Sequence, residues 1–386
     1  MNVPNDTLII CRKKKGKSTI TGYKKTDIKK QFKKCVENKN IELAIRWGIE
    51  LHCSGNVKDI FNFLILFSIQ NIKSPLIFYM LDRYLKKYEI IEDLLKKKIE
   101  TRNNQEARNC LVDIIFITCT AERYKLPVTK ITDMNNYTVI SKNLDFIMSL
   151  KQPNDKKESV LALNEILNYL VKYQKSKEYK FHGILFWYYW LEKVEKNYKT
   201  QKLVFANEER KNSKNILPEN YRWFLWELIL NQAERESNNI HVIIKSMYNC
   251  YIYHHSKSTI FQRKDILLKA LELLFYKKVK PVIRSYSKRL QVCCSSNVFY
   301  KEICNYLYEH DEVFEKPKQE EDKPMVLYGE IIDVNAEEEE EYNPEVEKMK
   351  VIENIMKVKK KGEKKKVQKE DANMEYLFDY SALRKK

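Results

Sequence analysis

From Asp27 to Glu309 apolar residues recur at intervals of three and four, the spacing of helices that bury one face. The pattern predicts a first set of helices: one from Asp27 through Phe32 and Val36, capped by Thr26, then Ile41–Cys53, Val57–Ile72, Leu76–Leu85, Glu89–Ile99 and Gln105–Thr120. Between Ser149 and Ser159 the stretch SLKQPNDKKES loses its periodicity and reads as a surface link. A second set is predicted over Val160–Tyr173, Phe181–Tyr198, Glu219–Gln232, His241–His254, Asp265–Tyr276, Pro281–Cys293 and Val298–Glu309. This second set is rich in aromatics. Trp187 and Trp190, and again Trp223 and Trp226, stand three apart on one helix face, so each pair is expected to pack on itself or on a neighbouring helix.

Composition supports the same class. Seven Gly and nine Pro in 386 residues are too few for many tight turns between strands. The expected fold is therefore all-α: one or two helical bundles, 26–150 and 151–313, between a basic N-terminal arm at 1–25 and a charged tail at 314–386. The tail is expected to be disordered. EKPKQEEDKP, the five-Glu run 337–341 and KVKKKGEKKK at 357–366 carry too much charge to pack a core. Within it MVLYGEIIDV, at 325–334, is apolar enough to dock on something.

Charge is divided unevenly. From Phe314 onward 16 Lys and Arg face 19 Asp and Glu; of the chain's 71 basic and 53 acidic residues, 55 and 34 remain before it, a formal charge of +21. Such an excess concentrates polyanions at the surface and speeds their association. Residues 10–34 hold eleven basic side chains and one acidic one, Asp27. Arg12, Lys13, Lys14, Lys15, Lys17, Lys24 and Lys25 are the candidate phosphate contacts, and Tyr23 is an available stacking surface.

In 39–81 Ala44 and Trp47 lie three apart, Gly55 follows eight after the Trp, and an apolar run from Ile60 to Ile72 leads to Pro75. This order resembles the helical collar behind the ATPase of clamp-loader subunits and of RarA/WRNIP-type replication-fork ATPases. Read by physics alone, the segment is a helix, a Gly C-cap and a second buried helix. With TGYKKTDIKKQFKKC, WGIELHCSG and the near-terminal MEYLFDY, the chain also looks like clamp-loader-labelled proteins of nucleocytoplasmic large DNA viruses. The resemblance implies Ala44, Trp47 and Gly55 as structural residues, with Trp47 buried at the centre of the first bundle and Ala44 and Gly55 giving room for a close crossing. The tail peptide is similar to clamp-binding peptides: Met374 stands three before Leu377 and Phe378, with Tyr376 beside them.

No catalytic assembly stands out. LIICRKKKGKST at 8–19 ends like a phosphate-binding loop, but Cys11 occupies the position of the first Gly, and no apolar helix follows at once. Cys250 and His254 share a helical face, and Cys293 and Cys294 are adjacent, which does not make the well-spaced second pair of a structural zinc site. The nine Cys show no CxxC pair and read as reduced core residues. Ile60–Ile72 is too short and polar to span a bilayer. The expectation is a non-enzymatic component of viral DNA replication, without cofactor, metal, membrane or small-molecule substrate, whose partners are DNA, a sliding clamp and other clamp-loader or polymerase subunits. Its compartment would be the host nucleus or a cytoplasmic viral factory, with no secretion. The alternatives are a helical scaffold or packaging protein that binds nucleic acid by charge, and an enzyme of unrecognised type.

Overall fold

The computed structural model describes residues 16–95, 98–124, 145–172, 181–211, 213, 217–254, 256–279 and 296–306. They form helices α1 Lys25–Glu37, α2 Ile41–Cys53, α3 Val57–Asn71, α4 Leu76–Leu95, α5 Lys98–Asn103, α6 Gln105–Thr120, α7 Asp145–Leu150, α8 Lys157–Lys172, α9 Phe181–Thr200, α10 Tyr221–Glu234, α11 Asn238–Ile252, α12 Lys257–Gln262, α13 Asp265–Tyr276 and α14 over 296–306. Among the described residues extended pairing is limited to two isolated bridges, so the fold is all-α. All of them lie within one compact unit, Met1–Glu312; Val313–Lys386 divides off as a second unit and lies outside the described residues. That second unit holds Met374, Tyr376, Leu377 and Phe378. Arg12, Lys13, Lys14, Lys15 and the helix expected at Pro281–Cys293 are likewise outside the described residues.

Local sequence accounts for the helix ends. Asn40 opens α2, its Oδ1 accepting from Leu43 N at 3.2 Å. Gly55 closes it at φ +72°, with Gly55 N donating to His52 O and Asn56 N to Leu51 O, both at 2.9 Å. Asn104 and Asn220 cap α6 and α10 in the same way. Thr26 does not cap α1: the helix already starts at Lys25, and Lys24 precedes it without a side-chain cap. α4 runs unbroken through the expected gap at 86–88, since Tyr84, Leu85, Tyr88 and Ile91 continue one buried stripe.

Gly48 makes a close approach in the first set, whereas a Cβ on Gly55 would have only the Arg102 guanidinium near it, at 3.8 Å; Ala44 is fully buried. A Cβ on Gly48 would lie 2.4 Å from Ile115 Cδ1 of α6, so a side chain at this position would force the Ile115 side chain to move. In the second set Trp187 meets Trp190 edge to face at 5.5 Å, while Trp223 and Trp226, both fully buried, pack on Tyr251 of α11. Truncating either of the latter would remove about 3–5 kcal/mol. The two sets share one seam. Asn249 donates to Asp82 at 3.0 Å, Arg263 to Asn62 at 2.7 Å, and the Lys269 ammonium to Ile72 O at the end of α3.

The stretch 149–159 is not a plain surface link. Asp155 is buried there against Arg210, and its carboxylate also accepts from Gln152 N at 2.8 Å and Glu208 N at 3.2 Å. Polarity on its own misreads such a residue, because a buried carboxylate with three donors is indistinguishable in sequence from a solvated one.

Candidate nucleic-acid interface

Residues 17–24 fold into a tight antiparallel turn. Ser18 pairs with Lys24, Thr19 N donates to Tyr23 O at 2.7 Å, and Lys25 N donates to Lys17 O at 3.0 Å. Gly22 sits at φ +91°, a conformation that a side chain would strain. The turn is fixed to the C-terminal end of α2. Ile20 is buried, its N–H donating to Ser54 Oγ at 2.9 Å, and Thr21 Oγ1 donates to Glu50 Oε1 at 2.7 Å. The end of the basic arm is thus folded. Lys17 and Lys24 remain exposed, but Lys25 is buried and its ammonium donates to Gly16 O at 3.0 Å, which withdraws it from the candidate phosphate contacts.

α1 continues the basic surface. It buries Ile28, Phe32, Cys35 and Val36 and leaves Lys29, Lys30, Lys33 and Lys34 outside. Between 16 and 39 seven lysines are exposed (17, 24, 29, 30, 33, 34 and 39) against two exposed carboxylates, Asp27 and Glu37. Lys29 reaches Asp59 at 2.8 Å and Lys33 approaches Glu37 at 3.9 Å; such surface pairs hold weakly and open readily to a phosphate. Lysines at 29 and 33, and at 30 and 34, form i, i+4 rows whose four-residue rise is about 6 Å. That spacing is the sequence signal for including the helix in the site along with the arm.

Trp47 departs from its expected place. The buried arc of α2 passes through Ala44, Ile45, Gly48, Ile49 and His52, which leaves Leu43, Arg46 and Trp47 on the outer side. Trp47 is half-buried there, meeting Tyr23 edge to face with centroids 5.9 Å apart. Tyr23 is 53% exposed and Leu43 38%. A helix period tells which residues share a face, but not which face the neighbours cover.

Other groups with reactive potential are closed or committed. His52 is fully buried, its Nδ1 paired with Tyr300 OH at 2.9 Å and its Nε2 with Tyr88 OH at 3.0 Å. Burial, then the neighbouring Arg108 and Arg102, push its pKa down to about 3, so it stays neutral and out of reach of an external substrate. A cleft of about 570 Å³ beside it has Phe61, Tyr88 and Tyr253 in its wall and Glu89, Glu92 and Asp93 along it. Burial, together with Asp93, Asp82 and Glu92, raises the Glu89 carboxyl against Lys58, which lines the same cleft along with Arg102. Gly16–Thr19 runs into the antiparallel turn and not into a helix N-terminus, so the described part of the GKST stretch is no phosphate cradle. Cys250 is buried with Sγ 3.6 Å from Phe78 O, and His254 has left the helix at φ 42° to pack on Tyr253. Among the described residues no three metal-ligating side chains converge, and no helix is long and apolar enough to cross a membrane.

Comparison with protein-family models, curated proteins and solved structures gave no match.

Proposed function

We propose that this chain is a non-enzymatic, nucleic-acid-binding helical protein that holds DNA against α1 and the 17–24 turn and serves within a DNA replication machinery. The observation that carries the reading is the excess of seven exposed lysines over two exposed carboxylates in 16–39. Each lysine that displaces a counterion from a phosphate adds about 0.9 to the salt slope of duplex binding. The replication setting and the sliding-clamp partner rest on the resemblance of the 39–81 segment and of Met374, Leu377 and Phe378. In that reading the tail peptide gains effective concentration by being joined to a DNA-bound body.

The test is fluorescence anisotropy of the full chain with a labelled duplex over a salt series. Binding with little sequence preference and a log–log salt slope steeper than about −4 is expected. A missing signal at low salt, or an affinity indifferent to salt, would remove the proposal. The clamp arm is separate: Leu377→Ala with Phe378→Ala should abolish capture of the cognate sliding clamp while leaving DNA affinity nearly intact.

A further inference from the structure

We infer that the Tyr23–Trp47 pair is a stacking platform for unpaired bases, so that single-stranded nucleic acid is the preferred ligand of the basic surface. This rests on the nucleic-acid reading above and narrows its ligand. Tyr23 stands more than half exposed on a turn that backbone pairing and the Ser54 and Glu50 side chains hold in place. A ring on such a support is oriented before the ligand arrives, which spares the entropy that a mobile arm would lose. Trp47 meets it at an interplanar angle of 89°. An edge-to-face pair covers at most one face of one ring, and Tyr23, 53% exposed, offers the surface on which a base can lie.

The charge around the pair fits the ligand. Lys24 directly follows Tyr23, and Lys17 lies on the facing arm of the turn, its carbonyl accepting from Lys25 N; both are exposed. The nearby carboxylate Glu50 is buried and accepts from Thr21 N and Oγ1, which offsets its repulsion of a phosphate chain. Leu43, one helical turn from Trp47, extends the apolar patch. Bases in a duplex present only their edges, because their faces are occupied by neighbours, whereas an unpaired base has a free face for every aromatic ring it meets. The same rings also suit a protein partner, but the lysines on both sides of the turn favour a polyanion.

The experiment compares an oligo-dT strand of about 20 nucleotides with a duplex of equal length, using the full chain as wild type, Tyr23→Ala, Trp47→Leu and Leu43→Ala. Stacking is expected to make the single strand the tighter ligand. Tyr23→Ala and Trp47→Leu should each weaken it roughly tenfold or more while leaving duplex affinity within about twofold and the salt slope unchanged. Leu43→Ala should have a smaller effect. Tyr23 is exposed, so its variant folds even where Trp47→Leu does not, and it decides alone in that case. Equal losses for strand and duplex, or no loss for either, would overturn stacking, the second outcome assigning the patch to a protein partner. Wild type that binds neither ligand would instead sink the nucleic-acid function itself.

Discussion

Replacing Lys29, Lys30, Lys33 and Lys34 together by Ala tests the interface at its centre. α1 has 13 residues, about 20 Å at 1.5 Å each, and spans roughly six phosphates of one strand. Four released counterions at about 0.9 each set an upper limit of about 4 on the loss of salt slope. Lys29 and Lys33 already lean on Asp59 and Glu37, so the lower limit is the two other lysines, about 2. Between 50 and 200 mM salt, a fourfold range, wild type should therefore lose roughly 12- to 150-fold more affinity than the variant. Anisotropy with a labelled duplex reads both slopes directly, and circular dichroism shows whether the fold is kept. All four side chains are exposed, so each change should cost no more than about 0.5 kcal/mol of stability. A folded variant whose slope stays within one unit of wild type would show that DNA lies elsewhere on the body.

Gly183→Ala should destabilise by about 1–2 kcal/mol in urea titration, because the new Cβ would sit 2.4–2.7 Å from three ring atoms of Tyr169 and the overpacking exceeds the gain in helix propensity. Tyr169→Leu in the same chain should restore part of that loss, and strict additivity would refute the contact. Asp155→Ala should cost about 3 kcal/mol, the low end for a broken buried pair, since Arg210 keeps Glu227 at 3.1 Å and Leu150 O at 2.8 Å; a loss below about 1 kcal/mol would contradict the buried pair. Lys39→Gly should stabilise by about 1 kcal/mol by relieving a left-handed residue at φ 58°, checked by thermal melting. Burial lowers Lys269 to about 8 from the usual 10.5, so between those values the unfolded chain binds the extra proton and this lysine makes stability rise with pH by up to about 1.4 kcal/mol per unit; Lys269→Met should remove that contribution, seen as a difference between urea midpoints at pH 8 and 9.5.

The helices were legible where cap and period agree. Asn40 with Gly55 brackets α2, and Asn104 brackets the start of α6, so both sets of bounds can be read from side chains that satisfy helix ends. Where the chain uses a lysine at positive φ, as at Lys39 and Lys277, no Gly marks the stop, and only the fading of the apolar stripe shows it. The site was half legible. Clustered lysines announced a basic surface, but the burial of Lys25 and the meeting of Tyr23 with Trp47 depend on a turn that folds back over α2, an arrangement set by Ile20, Thr21, Glu50 and Ser54 at sequence distances beyond any local pattern. The shared seam of the two sets escaped for a related reason. Asn62, Asp82 and Asn249 look like solvent-facing positions until their partners arrive from 167 to 201 residues away.

His52 carries a consequence for the order in which the protein is made. Its Nδ1 partner, Tyr300, lies 248 residues further along, and α14 also brings Glu302 to Arg46 at 3.5 Å, Asn297 to Gln105 at 3.2 Å and the Tyr300 ring to the Arg108 guanidinium at 4.4 Å. On a translating ribosome that adds 5–20 residues per second, α2 and α6 emerge roughly ten to fifty seconds before the helix that closes over them. For that interval the first set is a nascent domain with an open side, its imidazole and two guanidinium groups still hydrated. Synthesis therefore ends the folded body with its own lid, and a chain released early, short of Tyr300, would be a substrate for chaperones and proteases.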